Sequence, residues 1–354
     1  MTLVSLWFLI IAVVWTGFFV LEGFDFGVGM LHGVLGRGEA GRRAAINTIG
    51  PLWDGNEVWL VVAGAAMFAA FPGWYATMFS GFYLALVLLL GALMVRGTSF
   101  EYRGKRDCPN WRDTWSGLLT AGSLLAPFLI GVALGDLLQG LPISAQHEYT
   151  GSFWTLLQPY GLFTGATLVV LCAVHGATFI ALKTTGDLRA RAVKLGRNLS
   201  PIATLILLAF VIWTHSIAGK GLLPNPVEIA GVLAMFSVDW LIGYGRDGWS
   251  FAATTIAVAV TVLSIFSELY PRLMVSSTNS LFNLTIRNSA SPSYPLKVMT
   301  VVALVLLPVV IAYTAWTYYV FRRRISDKNF VSGPQDRQTR NHGFKRRDSH
   351  DHVH

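Results

Sequence analysis

The stretch LWFLIIAVVWTGFFVLEGFDFGVG at residues 6–29 decides the fold class of this chain. No charged side chain occurs before Glu22, so the run is long enough for a hydrocarbon layer that requires about 20 residues of helix. A helix is expected because lipid offers no partners to open backbone groups, and barrel strands would alternate polar and apolar residues. No basic residue precedes the run, which is also longer than the apolar part of a typical signal peptide. We therefore expect a retained membrane span.

Nine stretches of this kind predict an all-α, polytopic membrane protein with about nine transmembrane helices in bundles. Of the 354 residues, 53% are hydrophobic and 13% are charged, whereas soluble domains carry about 25% charged residues. The predicted spans cover about 5–22, 50–71, 74–95, 116–138, 158–182, 199–218, 227–243, 249–271 and 297–321.

The chain is expected to comprise a transmembrane helical domain, residues 1–325, and a disordered polar cytoplasmic tail, residues 326–354. The tail has too few apolar residues to bury a core. Its last residues include His350, His352 and His354. We interpret them as part of a solvated terminus rather than as a metal site.

The Lys and Arg residues are concentrated in the connections on one predicted side of the membrane. The first, third, fifth and seventh connections together with the C-terminal segment hold 23 Lys and Arg residues, whereas the opposite side holds four. Because cytoplasmic segments are enriched in Lys and Arg, this partition predicts that the N-terminus is outside and the C-terminus is cytoplasmic. The net charge of +8 is thereby explained without a nucleic-acid partner.

Carboxyl groups within the spans are functional candidates, because a charge in lipid costs about 2.5–3.5 kcal/mol on insertion scales. Glu22 and Asp25 lie three residues apart, as do Asp54 and Glu57, so each pair shares a helix face. Their roles stay open between proton conduction and helix capping or helix–helix hydrogen bonding. No basic residue lies in the first two predicted spans to pair with them. The sequence also leaves open whether the first helix continues past Gly29.

Two kinds of residue indicate how the helices contact their surroundings. Gly23 and Gly27 lie four residues apart, a spacing of small residues that lets another helix approach closely. Aromatic residues at span ends, among them Trp316, Tyr318 and Tyr319, are interpreted as belts at the membrane interface.

No residue pattern predicts a haem or metal site in this chain. Haem iron requires an axial His, Met, Cys or Tyr, and His175 and His215 lie in or near spans without a Cys-x-x-Cys-His motif. A single histidine in a span is more often a hydrogen-bonded packing residue than a ligand. The two cysteines, Cys108 and Cys172, indicate neither a disulfide nor a metal site.

Several longer motifs resemble those of a known family, subunit II of the cytochrome bd-type quinol oxidases. They include GFFVLEGFDFGVG at 17–29, NTIGPLWDGNEVW at 47–59 and FAAFPGWYATMFSGFY at 68–83. Shorter matches are RGTSFEYR at 96–103, a basic loop after the third helix, GVALGDLLQG at 131–140 and SST at 276–278. The resemblance extends over residues 5–321.

This resemblance implies a haem-free subunit of a terminal oxidase in the bacterial cytoplasmic membrane. Its partner, subunit I, would carry haems b and d, bind the quinol and reduce oxygen to water, which generates a proton motive force. Subunit II would stabilise subunit I, contribute to proton and oxygen access, and lie in contact with membrane lipid. A small accessory subunit and a bound structural quinone are further features that the resemblance leaves open.

The resemblance also implies residue roles, position by position. Asp25, Asp54 and Glu101 match acids of the family's proton route, and Glu22 and Glu57 are acids with either a proton-path or a structural role. Trp59 matches a tryptophan near the oxygen route. Structural or assembly roles are expected for Gly23, Gly27, Trp53 and Arg96.

The alternative is a secondary transporter or ion channel in which Glu22, Asp25 and Asp54 bind a cation or proton. Many transporters contain inverted repeats with interrupted helices, and no such repeat is evident in the sequence. The length of the shared motifs favours the oxidase subunit.

Overall fold

Eleven α-helices follow one another in the computed structural model, which describes residues 2–219, 221, 223–326 and 330. In chain order the helices are α1 (Leu3–Leu35), α2 (Gly38–Asn47), α3 (Trp53–Ala70), α4 (Pro72–Gly81), α5 (Tyr83–Tyr102), α6 (Pro109–Gln139), α7 (Pro159–Lys183), α8 (Gly186–Ile217), α9 (Pro226–Gly243), α10 (Asp247–Leu269) and α11 (Ser293–Val320). The predicted tail lies outside the described residues, except for Ser326 and Phe330.

The polytopic all-α class is confirmed, and the count of spans differs by one from the prediction. Among the described residues, eight helices are long and apolar enough to cross a membrane: α1 and α5 to α11. Helix α3 occupies the second predicted span but is not among the eight, because its first two turns contain Asp54, Asn56 and Glu57. The third predicted span is displaced along the chain, since Phe82 separates α4 from α5.

The helices form two groups that share an interface. Helices α1, α3, α5 and α6 make the first group, and α7 to α10 make the second. The groups meet where α1 and α6 pack against α7. Helix α11 lies outside both groups and contacts α1 and α3, with Leu296 as its buried residue.

The first helix is much longer than the predicted span. It contains 33 residues, or about 50 Å at the usual rise per residue, and continues past Gly29 to Leu35. Thr2 caps its start by accepting a hydrogen bond from the Ser5 amide. Glu22 and Asp25 therefore lie within the helix, with two turns or more on either side, and both are fully buried.

The connections at one end of the bundle form a small ordered layer. Strand β1 (Arg272–Met274) pairs antiparallel with β2 (Leu284–Thr285), and Leu141 pairs with Ser276. The Thr77 hydroxyl donates a hydrogen bond to the backbone carbonyl of His147 over 2.6 Å. This layer ties the segment after α6 to the segment after α10 and to α4.

The two helix groups contact each other through glycine. A Cβ atom added at Gly27 would lie 2.7 Å from the Cα of Gly176 on α7, closer than real Cβ atoms approach. The backbones of α1 and α7 are therefore in direct contact, which a side chain at either position would prevent.

We predict that Gly27→Ala lowers the thermal stability of the detergent-purified protein. The added methyl group must push α7 away, and overpacking of this kind costs about 1–3 kcal/mol. Gly33→Ala is the matched control, since it lies on the same helix with nothing within 4 Å of the added Cβ atom. Equal melting temperatures for the two variants would contradict the prediction.

Candidate functional site

A buried polar cluster lies among the helices of the first group. It comprises Glu22 and Asp25 from α1, Asn56 and Glu57 from α3, and Arg96 from α5, and is called the Arg96 cluster here. The hydroxyl of Tyr318, from α11, reaches its edge. Residues from four helices, far apart in sequence, thus meet in one place.

Arg96 is the cation of the cluster and forms ion pairs with two helices. Its Nη2 atom lies 2.6 Å from Glu22 Oε1, and neither side chain is exposed to solvent. Its Nη1 atom donates a hydrogen bond to Glu57 Oε2 over 3.2 Å, and the Glu57 side chain is 22% exposed. The guanidinium therefore connects α5 to both α1 and α3.

Three aromatic rings surround the Arg96 guanidinium. Its central carbon lies 4.8 Å from the ring centroid of Phe26, 5.3 Å from that of Phe100 and 5.9 Å from that of Trp53. Trp53 and Phe100 are themselves stacked, with centroids 4.7 Å apart. The ring faces attract the cation and exclude water from it. Trp53 therefore contributes one wall of the site.

A hydrogen-bonded chain extends from Asp25 to the outermost helix. The Asn56 amide donates to Asp25 Oδ2 over 2.7 Å and to the Leu21 carbonyl over 3.2 Å. The Tyr318 hydroxyl donates to Asn56 Oδ1 over 3.0 Å. Asn56 therefore uses both ends of its amide to join α1 and α11.

One expectation about Arg96 was wrong. The sequence pattern placed it in a basic loop after the third span, but α5 begins at Tyr83 and continues to Tyr102, so Arg96 lies within the helix and is fully buried. The first two predicted spans contain no basic residue, as the sequence indicated. Arg96 supplies a cation to their acids from α5, because its side chain reaches Glu22 on α1 and Glu57 on α3.

Two polar members of the site were missed by sequence reasoning. Asn56 stood within the quoted motif, between Asp54 and Glu57, but an uncharged side chain gave no signal of its own. Tyr318 was assigned to an interfacial belt, and nothing in the local sequence shows that its hydroxyl meets Asn56.

Asp54 and Glu101, two of the predicted proton-route acids, lie at the surface instead of inside the cluster. Asp54 is in the first turn of α3 and Glu101 in the last turn of α5, and both are exposed. Glu101 lines a cleft of about 700 Å³, whose other residues include Trp53, Phe100, Lys183, Arg323 and Arg324. Trp53 and Phe100 thus separate this cleft from the Arg96 guanidinium.

The remaining predicted residues lie between helices. Trp59 is half-buried and packs on α1, where a Cβ atom at Gly17 would lie 3.1 Å from its ring. A Cβ atom at Gly23 would lie 3.4 Å from Cys172 Sγ, an ordinary contact across the α1–α7 interface.

His175 is hydrogen bonded through both ring nitrogens, as expected of a packing histidine. Its Nδ1 atom lies 2.7 Å from the Thr254 hydroxyl, and its Nε2 atom lies 3.1 Å from the Val20 carbonyl. Its ring stacks on Phe251 with centroids 4.7 Å apart. This geometry leaves neither nitrogen available to a haem iron.

Comparison with known proteins identifies the family. Residues 3–321 match the model of the family described as cytochrome bd terminal oxidase subunit II. The chain belongs to this family. It is 44% identical over 328 residues to cytochrome bd ubiquinol oxidase subunit 2 of Bacillus subtilis (strain 168). That alignment covers 92% of this chain and 97% of the relative. The chain is 36% identical over 362 residues to cytochrome bd-I ubiquinol oxidase subunit 2 of Escherichia coli (strain K12), covering 92% and 95%.

A solved structure shows the same fold. The chain superposes on a chain of the bd oxidase from Geobacillus thermodenitrificans with a TM-score of 0.72, covering 91% of this chain and 99% of that one. The two are only 17% identical, so this comparison bears on the fold alone.

Membership of the family identifies the chain as a subunit of a quinol-oxidising terminal oxidase and as a multi-pass membrane protein. The family name implies that the complex contains haems and that this subunit has a partner subunit. The transporter or channel alternative finds no support among the relatives.

We predict that Arg96→Met strongly destabilises the protein, because Glu22 is then left as a buried charge without its cation. Breaking a buried ion pair in this way costs about 3–5 kcal/mol. Adding Glu22→Gln should restore part of the loss, since it removes the opposite charge. The measurement is the apparent melting temperature and the yield from membranes.

Arg106→Met is the control, because Arg106 is an exposed arginine a short distance beyond the end of α5. The ion-pair explanation fails if the double variant with Arg96→Met and Glu22→Gln is no more stable than the single Arg96 variant, or if the Arg106 variant is equally damaging.

Proposed function

We propose that this chain is the haem-free subunit II of a bd-type quinol oxidase in the bacterial cytoplasmic membrane, and that it conducts protons through the Arg96 cluster. The haem-bearing subunit I would oxidise quinol and reduce oxygen to water. The observation that carries the proton role is the charge composition of the cluster, with three carboxyl groups around one guanidinium in a buried site.

The charge imbalance of the cluster favours occupancy by a proton. Full ionisation of Glu22, Asp25 and Glu57 would leave two negative charges that Arg96 cannot compensate. Such charges are costly away from water, so a proton that arrives is stabilised there. A site that only tied helices together would need one acid for one arginine.

The exposure of the acids suggests a direction for proton movement. Asp54 and Glu101 lie at the surface, Glu57 is partly exposed, and Glu22 and Asp25 are fully buried. Glu57 connects the surface acids to the buried ones, because it contacts Arg96 inside the cluster and lies three residues from Asp54, on the same face of α3. Protons would enter at Asp54 and Glu101, pass Glu57 and reach Asp25.

His175 supports the assignment of haems b and d to the partner. Both of its ring nitrogens are hydrogen bonded within the bundle. This side chain does not fit axial ligation of a haem as it stands. We likewise propose that the quinol site lies in subunit I and that the oxygen route passes near Trp59.

A broad apolar surface fits the partner subunit. Helices α3, α5 and α11 expose large hydrophobic side chains, which suits contact with another membrane chain or with lipid. Obligate interfaces commonly exceed about 2,000 Å². These side chains include Val61, Phe68, Leu90, Met94, Leu304 and Val309.

We predict that the end of the helix bundle at which Glu101 lies faces the cytoplasm. In a Cys108→Ser background, Ser326→Cys should resist a membrane-impermeant maleimide in intact cells and react after permeabilisation. Glu148→Cys, in the ordered layer at the other end of the bundle, is the control and should react in intact cells. The reverse labelling would invert the orientation and place the proposed proton entrance on the wrong side.

We predict that Asp25→Asn reduces oxygen consumption at least tenfold while the haem content of the complex is retained. Asparagine can still hydrogen bond to Asn56 but cannot relay a proton. Smaller losses are expected for Asp54→Asn and Glu101→Gln, because water can replace an exposed carboxylate. The measurements are haem spectra, oxygen consumption and proton uptake in vesicles.

Asp113→Asn is the control, since Asp113 is an exposed acid of the same end, paired with Arg42. Wild-type turnover and proton uptake in a fully assembled Asp25→Asn complex would refute the relay. Joint loss of haem and activity would instead assign Asp25 a structural role.

A further inference from the structure

A second buried cluster lies at the opposite end of the bundle from Glu101. His215 comes from the last turn of α8, Glu228 from the first turn of α9 and Glu268 from the last turn of α10. These three residues are called the His215 cluster. All are buried, with relative exposures of 5%, 1% and 3%. Neither the family comparison nor the proton route assigns them a role.

The three side chains converge closely enough to share one ligand. His215 Nε2 lies 2.5 Å from Glu228 Oε2 and 4.0 Å from Glu268 Oε1. One donor atom from each residue can be chosen so that all three lie within 4.8 Å of one another. Because donors bound to one metal ion lie on a common sphere about 2 Å in radius, only small side-chain shifts are required.

The local backbone holds Glu228 in place. Asn225 caps α9, its side chain accepting hydrogen bonds from the amides of Val227 and Glu228 over 3.0 Å each. Glu228 Oε2 in turn accepts from the Asn225 amide over 2.9 Å. This capping box orients the carboxylate towards His215 before any ligand binds.

One oxygen of the same carboxylate has no hydrogen bond among the described residues. Glu228 Oε1 is inaccessible to solvent and without a hydrogen-bond partner in that part of the chain, and the same holds for His215 Nδ1. Buried polar atoms of this kind call for a water or an ion.

The surroundings restrict access to the cluster and connect it to other helices. The Tyr160 hydroxyl, on α7, hydrogen bonds to the Thr214 hydroxyl over 2.8 Å, next to His215. The Arg272 guanidinium donates to the backbone carbonyl of Glu268 over 3.1 Å. A cation bound by the cluster would therefore link the ends of α8, α9 and α10 beneath the ordered layer that contains β1.

We propose that the His215 cluster binds a divalent transition-metal ion, with Zn²⁺ as the best match, and that the ion clamps these three helix ends. One imidazole nitrogen with two carboxylate oxygens is a donor set that Zn²⁺ accepts, and water can complete four-coordination. Mg²⁺ and Ca²⁺ fit less well because they favour oxygen ligands alone. The alternative is a metal-free His–Glu hydrogen bond.

The test measures zinc retained by the purified oxidase complex. All samples, including the parent complex, carry alanine at positions 342, 350, 352 and 354, so that the four tail histidines do not contribute zinc. The complex is stripped with EDTA, loaded with Zn²⁺ and gel filtered, and zinc is counted by mass spectrometry. The parent complex should retain about one more zinc per chain than the double variant with His215→Asn and Glu228→Gln.

The matched control is the double variant with His147→Asn and Glu148→Gln, a histidine and a glutamate in the ordered layer at the same end of the bundle. His147 has a positive φ of 61°, a conformation that Asn tolerates. This variant should retain as much zinc as the parent. Equal zinc in the parent and the His215/Glu228 variant would overturn the proposal.

A second measurement avoids dependence on variant assembly. Zinc-edge X-ray absorption of the parent complex should show one imidazole nitrogen and oxygen ligands at about 2.0–2.2 Å. Absence of bound zinc, or coordination by sulfur, would refute the site. A metal-free His–Glu pair would be the remaining interpretation of the cluster.

Discussion

The buried ion pair between Arg96 and Glu22 constrains the first helix group more than any apolar contact does. Apolar contacts alone specify helix register weakly in lipid, because the lipid tails are as apolar as the side chains and no hydrophobic force drives helices together there. A guanidinium and a carboxylate that are both removed from water must instead meet within hydrogen-bonding distance. The 2.6 Å contact thus sets the register of α5 on α1, and the Glu57 contact sets that of α3.

The same first helix also connects the two halves of the bundle. One side of α1 carries the acids that face α3 and α5, and Gly27 brings another side against the backbone of α7. His175 on α7 adds a hydrogen bond to the Val20 carbonyl. Polar and glycine contacts therefore lie within two turns of each other, which makes α1 the common element of the fold.

The free-energy cost of burying these charged groups suggests that they do more than stabilise the fold. Replacing a buried ionic group with well-packed apolar residues is often neutral or stabilising, so stability alone is a weak reason to keep one. An excess of carboxyl groups over cations is better suited to receiving protons. Family membership supplies a reaction that consumes protons, and the proposed path runs through Glu57, which lies between the surface and the interior.

The sequence by itself determined the fold class of the protein. A helix that crosses lipid must be long and apolar, so the composition and the lengths of the apolar stretches are enough to predict an all-α membrane protein. It also determined the family, since long motifs carry that information whatever their structure. Most spans were predicted close to their observed positions. The exceptions are α3, whose polar first turns leave it too polar for a membrane span, and the third span, which the break at Phe82 displaces along the chain. Local patterns also revealed that Glu22 and Asp25 share a face.

Only the tertiary structure decided which residues meet. Arg96 was predicted to lie in a loop because a charge near the end of an apolar run is typical of an interface. Only the tertiary packing, with α6 against α5 and Glu22 of α1 against the guanidinium, buries it. Asn56 and Tyr318 meet across 262 positions of sequence, a separation that no periodicity can bridge. His215, Glu228 and Glu268 likewise lie on three helices. Hydrophobic patterning specifies which segments enter the membrane, whereas polar contacts between segments depend on helix order, tilt and register.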